Sequence, residues 1–243
     1  MKTSELQTTE ANALPAPTRV GSSEFVRRQL GDCLLINADC LDCLPIEADA
    51  VISDPPYGMN LDTDNSRFSG GTAGNMAKRG NGIGTGGGAP IIGDDKPFDP
   101  APWLDYPAAV LFGCNHYAAR LPVGTTLVWL KRHDGGFGSF LSDAEIAWMK
   151  GGHGVYAKRD LSMNGEALTR CHPCQKPVPI MAWCIEMAKV PEGGTVCDPY
   201  MGSGSTGVAC VRLHRNFIGV ETDKRHFDNA CDRIRRELEG ALL

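Results

Sequence analysis

Hydrophobic positions in this chain gather into short runs bounded by glycine, proline and charged residues. Seven of these runs read as strands: Cys33 to Ala38, Ala48 to Ser53, Ala108 to Gly113, Thr125 to Lys131, Ala144 to Met149, Thr195 to Asp198 and Asn216 to Glu221. Between the strands at Ala144 and Thr195, Val178 to Lys189 follows Pro177 and reads as a helix, since proline suits a helix entry. A second apolar helix is expected from near Ser205. The alternation predicts a single α/β domain over residues 24–243, preceded by a flexible leader, Met1 to Ser23, rich in Thr, Ala and Pro.

Composition narrows the class. A chain of 243 residues with 42% hydrophobic content can bury one large core. No run approaches the ~18 apolar residues of a membrane span, and the first thirty residues lack the apolar core of a secretory signal, so the expected location is cytoplasmic with no membrane partner. The ten cysteines are scattered through expected strands and helices and read as reduced thiols acting as small apolar residues. Two CxxC pairs, Cys40 with Cys43 and Cys171 with Cys174, raise structural zinc, but they lie far apart in the chain, and no metal is expected.

Three motifs carry chemistry. Asp54-Pro55-Pro56-Tyr57 ends the apolar run Ala50-Val51-Ile52. An exocyclic amine is a poor nucleophile until its hydrogens are bound. Asp54 and the Pro55 carbonyl supply two acceptors, Pro55 and Pro56 stiffen the backbone, and Tyr57 offers a stacking surface. An ordinary Asp-Pro turn is the competing reading. Next, Thr195 to Asp198 runs through Pro199 and Tyr200 into Gly202-Ser203-Gly204-Ser205-Thr206-Gly207, a glycine turn with GxGxxG spacing. Glu221 closes the next strand about 20 residues beyond Gly202, where a ribose-hydroxyl acceptor belongs. Taken alone, this turn suits NAD as well as S-adenosylmethionine. Third is His172-Pro173-Cys174-Gln175-Lys176-Pro177. Its Pro-Cys-Gln also mimics the nucleophile motif of cytosine C5 methyltransferases, a match set aside because the chain already carries an amine-type motif.

In this order the three motifs resemble those of the beta class of S-adenosylmethionine-dependent amino-methyltransferases, which act mainly on adenine N6 in DNA. The segments Ile92 to Pro100, Phe112 to Asn115 and Trp129 to Lys131 are similar to small phage and prophage members, and the resemblance runs from Gly31 to Arg236. It implies a Rossmann-like mixed, mostly parallel seven-stranded sheet with helices on both faces, circularly permuted so that the catalytic half precedes the cofactor half. It implies S-adenosyl-L-methionine as cofactor, met by Asp39, Cys40, Asp198, Pro199, Tyr200, Gly202, Ser203, Gly204, Thr206 and Glu221, with Lys176 a candidate for its carboxylate. It implies Asp54, Pro55, Pro56 and Tyr57 as the catalytic motif, with transfer to the N6 amine of a flipped-out adenine in double-stranded DNA. This chain departs from the family pattern at Cys174, where threonine is usual, and at Tyr200, where phenylalanine is usual. Tyr200 thus adds a hydroxyl in need of a partner.

DNA contacts are expected from Arg67, Lys78 and Arg79 in the glycine-rich stretch 65–90, read as a mobile loop, from Lys131 and Arg132, and from Lys158 and Arg159 in a short recognition segment, 151–170. A homodimer is one way to enlarge that surface. The net charge of −5 argues against strong non-specific DNA binding. Other readings are cytosine N4 as target, RNA as substrate, a silent DNA-binding relative, or an NAD-dependent oxidoreductase, which leaves two of the three motifs unexplained.

Overall fold

The computed structural model describes residues 25–61, 91–138, 142–162 and 175–241. The glycine-rich stretch, including Arg67, Lys78 and Arg79, and the His172-Pro173-Cys174 half of the third motif lie outside them.

Eight strands form one sheet: β1 (Val26–Leu30), β2 (Cys33–Asn37), β3 (Ala50–Ser53), β4 (Ala108–Phe112), β5 (Gly124–Leu130), β6 (Ala144–Arg159), β7 (Thr195–Asp198) and β8 (Asn216–Glu221). Their spatial order is β1-β2-β8-β7-β3-β4-β6-β5. The five strands from β2 to β4 are parallel, so the carboxyl ends of β8, β7, β3 and β4 open toward one side.

The sheet has eight strands rather than the expected seven. The additional strand, β1, pairs antiparallel with β2 at the sheet edge, and its Val-Arg-Arg-Gln-Leu sequence lacks the apolar run that marks the others. β6 is also longer than expected. Its first half pairs antiparallel with β4. The positive φ angles of Gly151 and Gly152 then let the chain double back around the start of β5. The register against β5 consequently runs in both senses, Leu130 facing Ala144 on one side and Arg159 on the other. Residues 151–159, expected to be part of a recognition segment, therefore complete the sheet.

Three helices, α2 (Val178–Met187), α3 (Ser205–Arg212) and α4 (Lys224–Ala241), pack in succession against one face. Ile180, Met181, Val208, Phe227 and Ile234 meet the inward side chains of β2, β3, β7 and β8 there. α4 inserts Phe227, Ala230, Cys231 and Ile234 from an otherwise charged sequence, at the spacing of one helical face. Phe98, Tyr117 and Trp103, the last from the short helix α1 (Ala101–Leu104), cover the opposite face over Val51, Leu111 and Ile218. No helix among the described residues is long and apolar enough to cross a membrane.

Candidate active site

The pairing of β3 with β7, Ala50 facing Val196 and Val51 facing Cys197, sets the first two motifs side by side. Ser53 Oγ donates to Asp198 Oδ1 at 2.5 Å, across 145 residues of sequence, and Thr206 Oγ1 donates to Asp198 Oδ2 at 2.5 Å. Burial pushes the Asp198 carboxyl up to about 6, against the pull of these two hydroxyls. Asp198 thus joins β3, β7 and the start of α3.

The glycine turn follows. Gly202 N–H donates to Glu221 Oε2 at 2.9 Å and Asp223 N–H donates to Oε1 at 2.8 Å. Burial raises Glu221 to about 7, with both amides opposing it. Gly204 is the αL cap of α3, and a Cβ there would lie 3.0 Å from Ala230 Cβ, so it serves the packing of α3 against α4. Asp39 caps a 3-10 turn by accepting from Leu41 N–H at 2.9 Å. The buried Cys40 thiol, raised by burial to about 12, is the partner of the Tyr200 hydroxyl. The Tyr200 ring packs edge-on against Phe98 and Trp103.

At the end of β3, Asp54 carries a partner on each oxygen: the Tyr57 hydroxyl donates to Oδ1 and the Lys176 ammonium to Oδ2. Burial pushes Asp54 up, Lys176 pulls it down, and the net displacement is upward. Lys176, expected to meet a cofactor carboxylate, is turned toward two carboxylates of the chain, because Glu145 of β6 reaches Nζ at 3.0 Å from the opposite side. Lys131 Nζ in turn donates to Glu145 Oε1 at 3.0 Å. Burial works to raise Glu145, but Lys176 and Lys131 outweigh it and hold it at about 2. Burial likewise opposes the charge on Lys176, yet Asp54 and Glu145 keep it cationic, well above the usual lysine range.

Tyr57 lies nearly parallel to His116, ring centres 4.9 Å apart, so one face of the expected stacking surface is already taken. Past the motif, Gly58, Met59 and Leu61 donate their amides to Asp94 at 2.9, 3.2 and 2.7 Å. This carboxylate fixes the backbone leaving Tyr57.

Most of these groups border one cavity of about 1840 Å³, while Ser53 and Gly204 lie outside its lining; the volume exceeds the ~300–1,000 Å³ of a single small-ligand pocket. Asp39, Cys40, Pro199, Tyr200, Gly202, Ser203 and Glu221, from the ends of β2, β7 and β8, line it, and so do Asp54, Pro55, Pro56, Tyr57, His116, Lys131, Glu145 and Lys176. Arg132 reaches its rim, paired with Asp143 at 3.6 Å. Lys158 bonds the Pro179 carbonyl at 3.5 Å and Arg159 pairs with Asp134, both outside the cavity lining. Among the described residues, no group of three or more His, Cys, Asp or Glu side chains is placed to hold a metal ion.

The sequence reading missed Ser53, Asp94, His116 and Glu145. Ser53 and Asp94 stood in or beside quoted motifs. Glu145 carried one visible signal, an acidic residue inside an apolar strand.

Residues 126–232, from β5 into α4, match the family model of N6/N4 methyltransferases, described as DNA methylase. That stretch, somewhat under half of the chain, is similar to the N6/N4 DNA methylases. Within the chain, 68 residues are 41% identical to the type II methyltransferase M2.DpnII of Streptococcus pneumoniae, covering 28% of this chain and 25% of that protein. A further match of 69 residues is 36% identical to the type II methyltransferase M.HpaI of Haemophilus parainfluenzae, covering 28% and 22%. Each match therefore spans about a quarter of the length of these relatives. The crystal structure of an M1.HpyAVI-SAM complex superposes with a TM-score of 0.52 at 21% identity, covering 82% of this chain and 98% of that one. At that identity the likeness is one of fold. The matched segment contains Lys131, Glu145, Lys176, Asp198 and Glu221, and Asp54 enters the same site from outside it.

Proposed function

We propose that the chain methylates the exocyclic N6 amine of adenine in double-stranded DNA, with S-adenosyl-L-methionine as methyl donor. The observation that carries this reading is the meeting of Asp54 with the Asp198 to Glu221 turn around one cavity. The donor set suits such a cofactor: Glu221 presents a carboxylate for ribose hydroxyls, Tyr200 and Cys40 give an apolar wall, and the Gly202 turn keeps the backbone close. When bound, the cofactor supplies an electrophilic methyl group on a sulfonium.

The protein's contribution is positioning and charge. Asp54 accepts a hydrogen from the amine, which frees the nitrogen lone pair and favours the positive charge that grows on nitrogen as the N–C bond forms. The nitrogen then sheds one proton, for which Asp54, its affinity raised by burial, is the nearest acceptor. Holding the reactants in line can supply on the order of 7 to 11 kcal/mol of the barrier. Tyr57 lines the cavity, and stacking a base rotated out of the duplex on an aromatic ring returns roughly 1 to 3 kcal/mol of the unstacking cost.

The test is incubation of the chain with methyl-labelled S-adenosylmethionine and unmethylated genomic DNA, followed by digestion to nucleosides, with Asp54→Ala in parallel. Label in N6-methyladenine that vanishes in the variant, while cofactor binding survives, is expected. Label in N4-methylcytosine replaces adenine by cytosine as target. No label in DNA from a chain that binds the cofactor overturns the reading.

A further inference from the structure

Glu145 stands in the cavity with no part in the reaction as described so far. It closes a row of alternating charges: Lys131 on Oε1 at 3.0 Å, Lys176 facing Oε2 at 3.0 Å, then Asp54 on the other side of Lys176. The Lys176 and Asp54 side chains are well shielded, at 8% and 15% exposed, and Lys131 and Glu145 are half-buried. Stability is a poor reason to keep it, because buried ion pairs are often no more stabilising than apolar residues of the same shape. The row does meet a chemical need.

Both oxygens of Asp54 are engaged, Oδ1 by Tyr57 and Oδ2 by Lys176. An incoming amine must share or displace one of these donors. Moving a buried ammonium off its only carboxylate would leave an uncompensated charge, which is costly. Here the ammonium has a second carboxylate within reach. Glu145 Oε2 is buried, and Lys176 Nζ already stands 3.0 Å from it, so the ammonium keeps a carboxylate partner if it leaves Asp54. The Phe112 ring, 5.1 Å from Nζ, gives the ammonium a further favourable surface.

We propose that Glu145 is a positioning residue of the methyl transfer, acting through Lys176. It takes up the ammonium as the amine arrives, so that Asp54 Oδ2 exchanges a hydrogen bond from lysine for one from the substrate. This rests on the amine-methylation reading above. No bond is made or broken in the exchange, and the four charges stay neutral in sum.

The test compares the full chain with Glu145→Gln, which keeps the shape and removes the charge. Single-turnover transfer to unmethylated genomic DNA at saturating cofactor is expected to fall roughly ten- to hundredfold, the scale of a small misplacement at a reacting centre, with cofactor affinity unchanged. The acid limb of the rate profile is expected to move to lower pH. Asp54 is faced by Lys176, Glu145, Tyr57, Tyr117 and Asp198, and removing the Glu145 charge removes a repulsion that keeps its proton on. A purely structural role would lower the active fraction and leave the limb in place.

The same shift is readable without turnover, from the Asp54 carboxyl carbon signal in the labelled cofactor-free chain, assigned by its loss in Asp54→Asn. Glu145→Asp keeps the charge and is expected to hold the limb at its wild-type position. Were Glu145→Gln not to fold, a limb moved in Glu145→Asp would overturn the proposal by itself. Wild-type chain that transfers nothing overturns the functional reading instead. An unmoved Asp54 titration in folded Glu145→Gln, or an unchanged rate and limb in an active chain, overturns the role of Glu145.

Discussion

Ser53 and Asp198, 145 residues apart in the chain, share a buried hydrogen bond of 2.5 Å. This bond links the last residue of β3 to the last residue of β7 and so sets the distance between the Asp54 motif and the glycine turn. Asp198 has a folded pKa of about 6, above its value in an unfolded chain. Its contribution to stability is therefore full below about pH 4 and is lost as pH rises through about 6. Ser53→Ala removes one group that restrains the rise. The variant is expected to lose about 1–3 kcal/mol at pH 8 and much less near pH 4, where the carboxyl is protonated in both chains. Urea unfolding at the two pH values checks this, and an equal loss at both would mean that the hydroxyl matters only for packing.

On the proposed function, Glu221 gives cofactor binding a pH dependence. Burial holds it at about 7, and only the ionised carboxylate can accept two ribose hydroxyls without offering a proton of its own. Cofactor affinity is expected to rise with pH through about 7 and level off above it. Calorimetric titration of S-adenosylmethionine across this range measures the effect. Glu221→Gln is expected to bind more weakly at high pH and to flatten the profile; a profile that keeps its step would assign it to another group, with Asp198 next in line.

What the sequence disclosed and what it hid divide along physical lines. Parallel strands buried on both faces carry uninterrupted apolar runs, so Ala50–Ser53, Ala108–Phe112 and Asn216–Glu221 stood out within a residue or two. Edge strand β1 buries little and left no such run. The return of β6 along β5 depends on tertiary pairing around Gly151 and Gly152, and its exposed Gly-His-Gly stretch looked like a loop. In the site, motif residues were legible because their chemistry needs fixed local spacing. Glu145 and His116 act from other strands and turns, on Lys176 and Tyr57, and no local spacing records such a meeting.

Gly113 controls Tyr57. With φ at +68°, it sits so close that a Cβ there would lie 2.0 Å from Tyr57 Cε1. Gly113→Ala therefore forces the tyrosine ring aside and strains the backbone, with a cost of order 1–3 kcal/mol. The expected result is a folded chain whose methyl transfer falls sharply while cofactor affinity holds, because the residues proposed to hold the cofactor stand at the ends of β2, β7 and β8. Rate and affinity measured side by side decide; parallel loss of both would mean that the strain spreads through β4 into the core.

Asp94 holds the backbone that leaves the Asp54–Tyr57 motif. It is 3% exposed, and its two oxygens receive the amides of Gly58, Met59 and Leu61 while its carbonyl accepts from Asn60. Asp94→Ala would leave three amides without their acceptor, a cost of about 1–3 kcal/mol for each that stays buried. Much of that is relieved if residues 58–61 turn outward to water, so the expected loss of global stability is modest. The local consequence is larger. Released amides should exchange with solvent far faster in Asp94→Ala than in the wild type, while amides of β3 and β7 keep their protection. Hydrogen exchange resolved by residue tests this, and Asp94→Asn, whose amide oxygen still accepts, is expected to retain part of the protection. Uniform acceleration across the sheet would instead make Asp94 part of the global fold, and its hold on the backbone after Tyr57 would lose its special meaning.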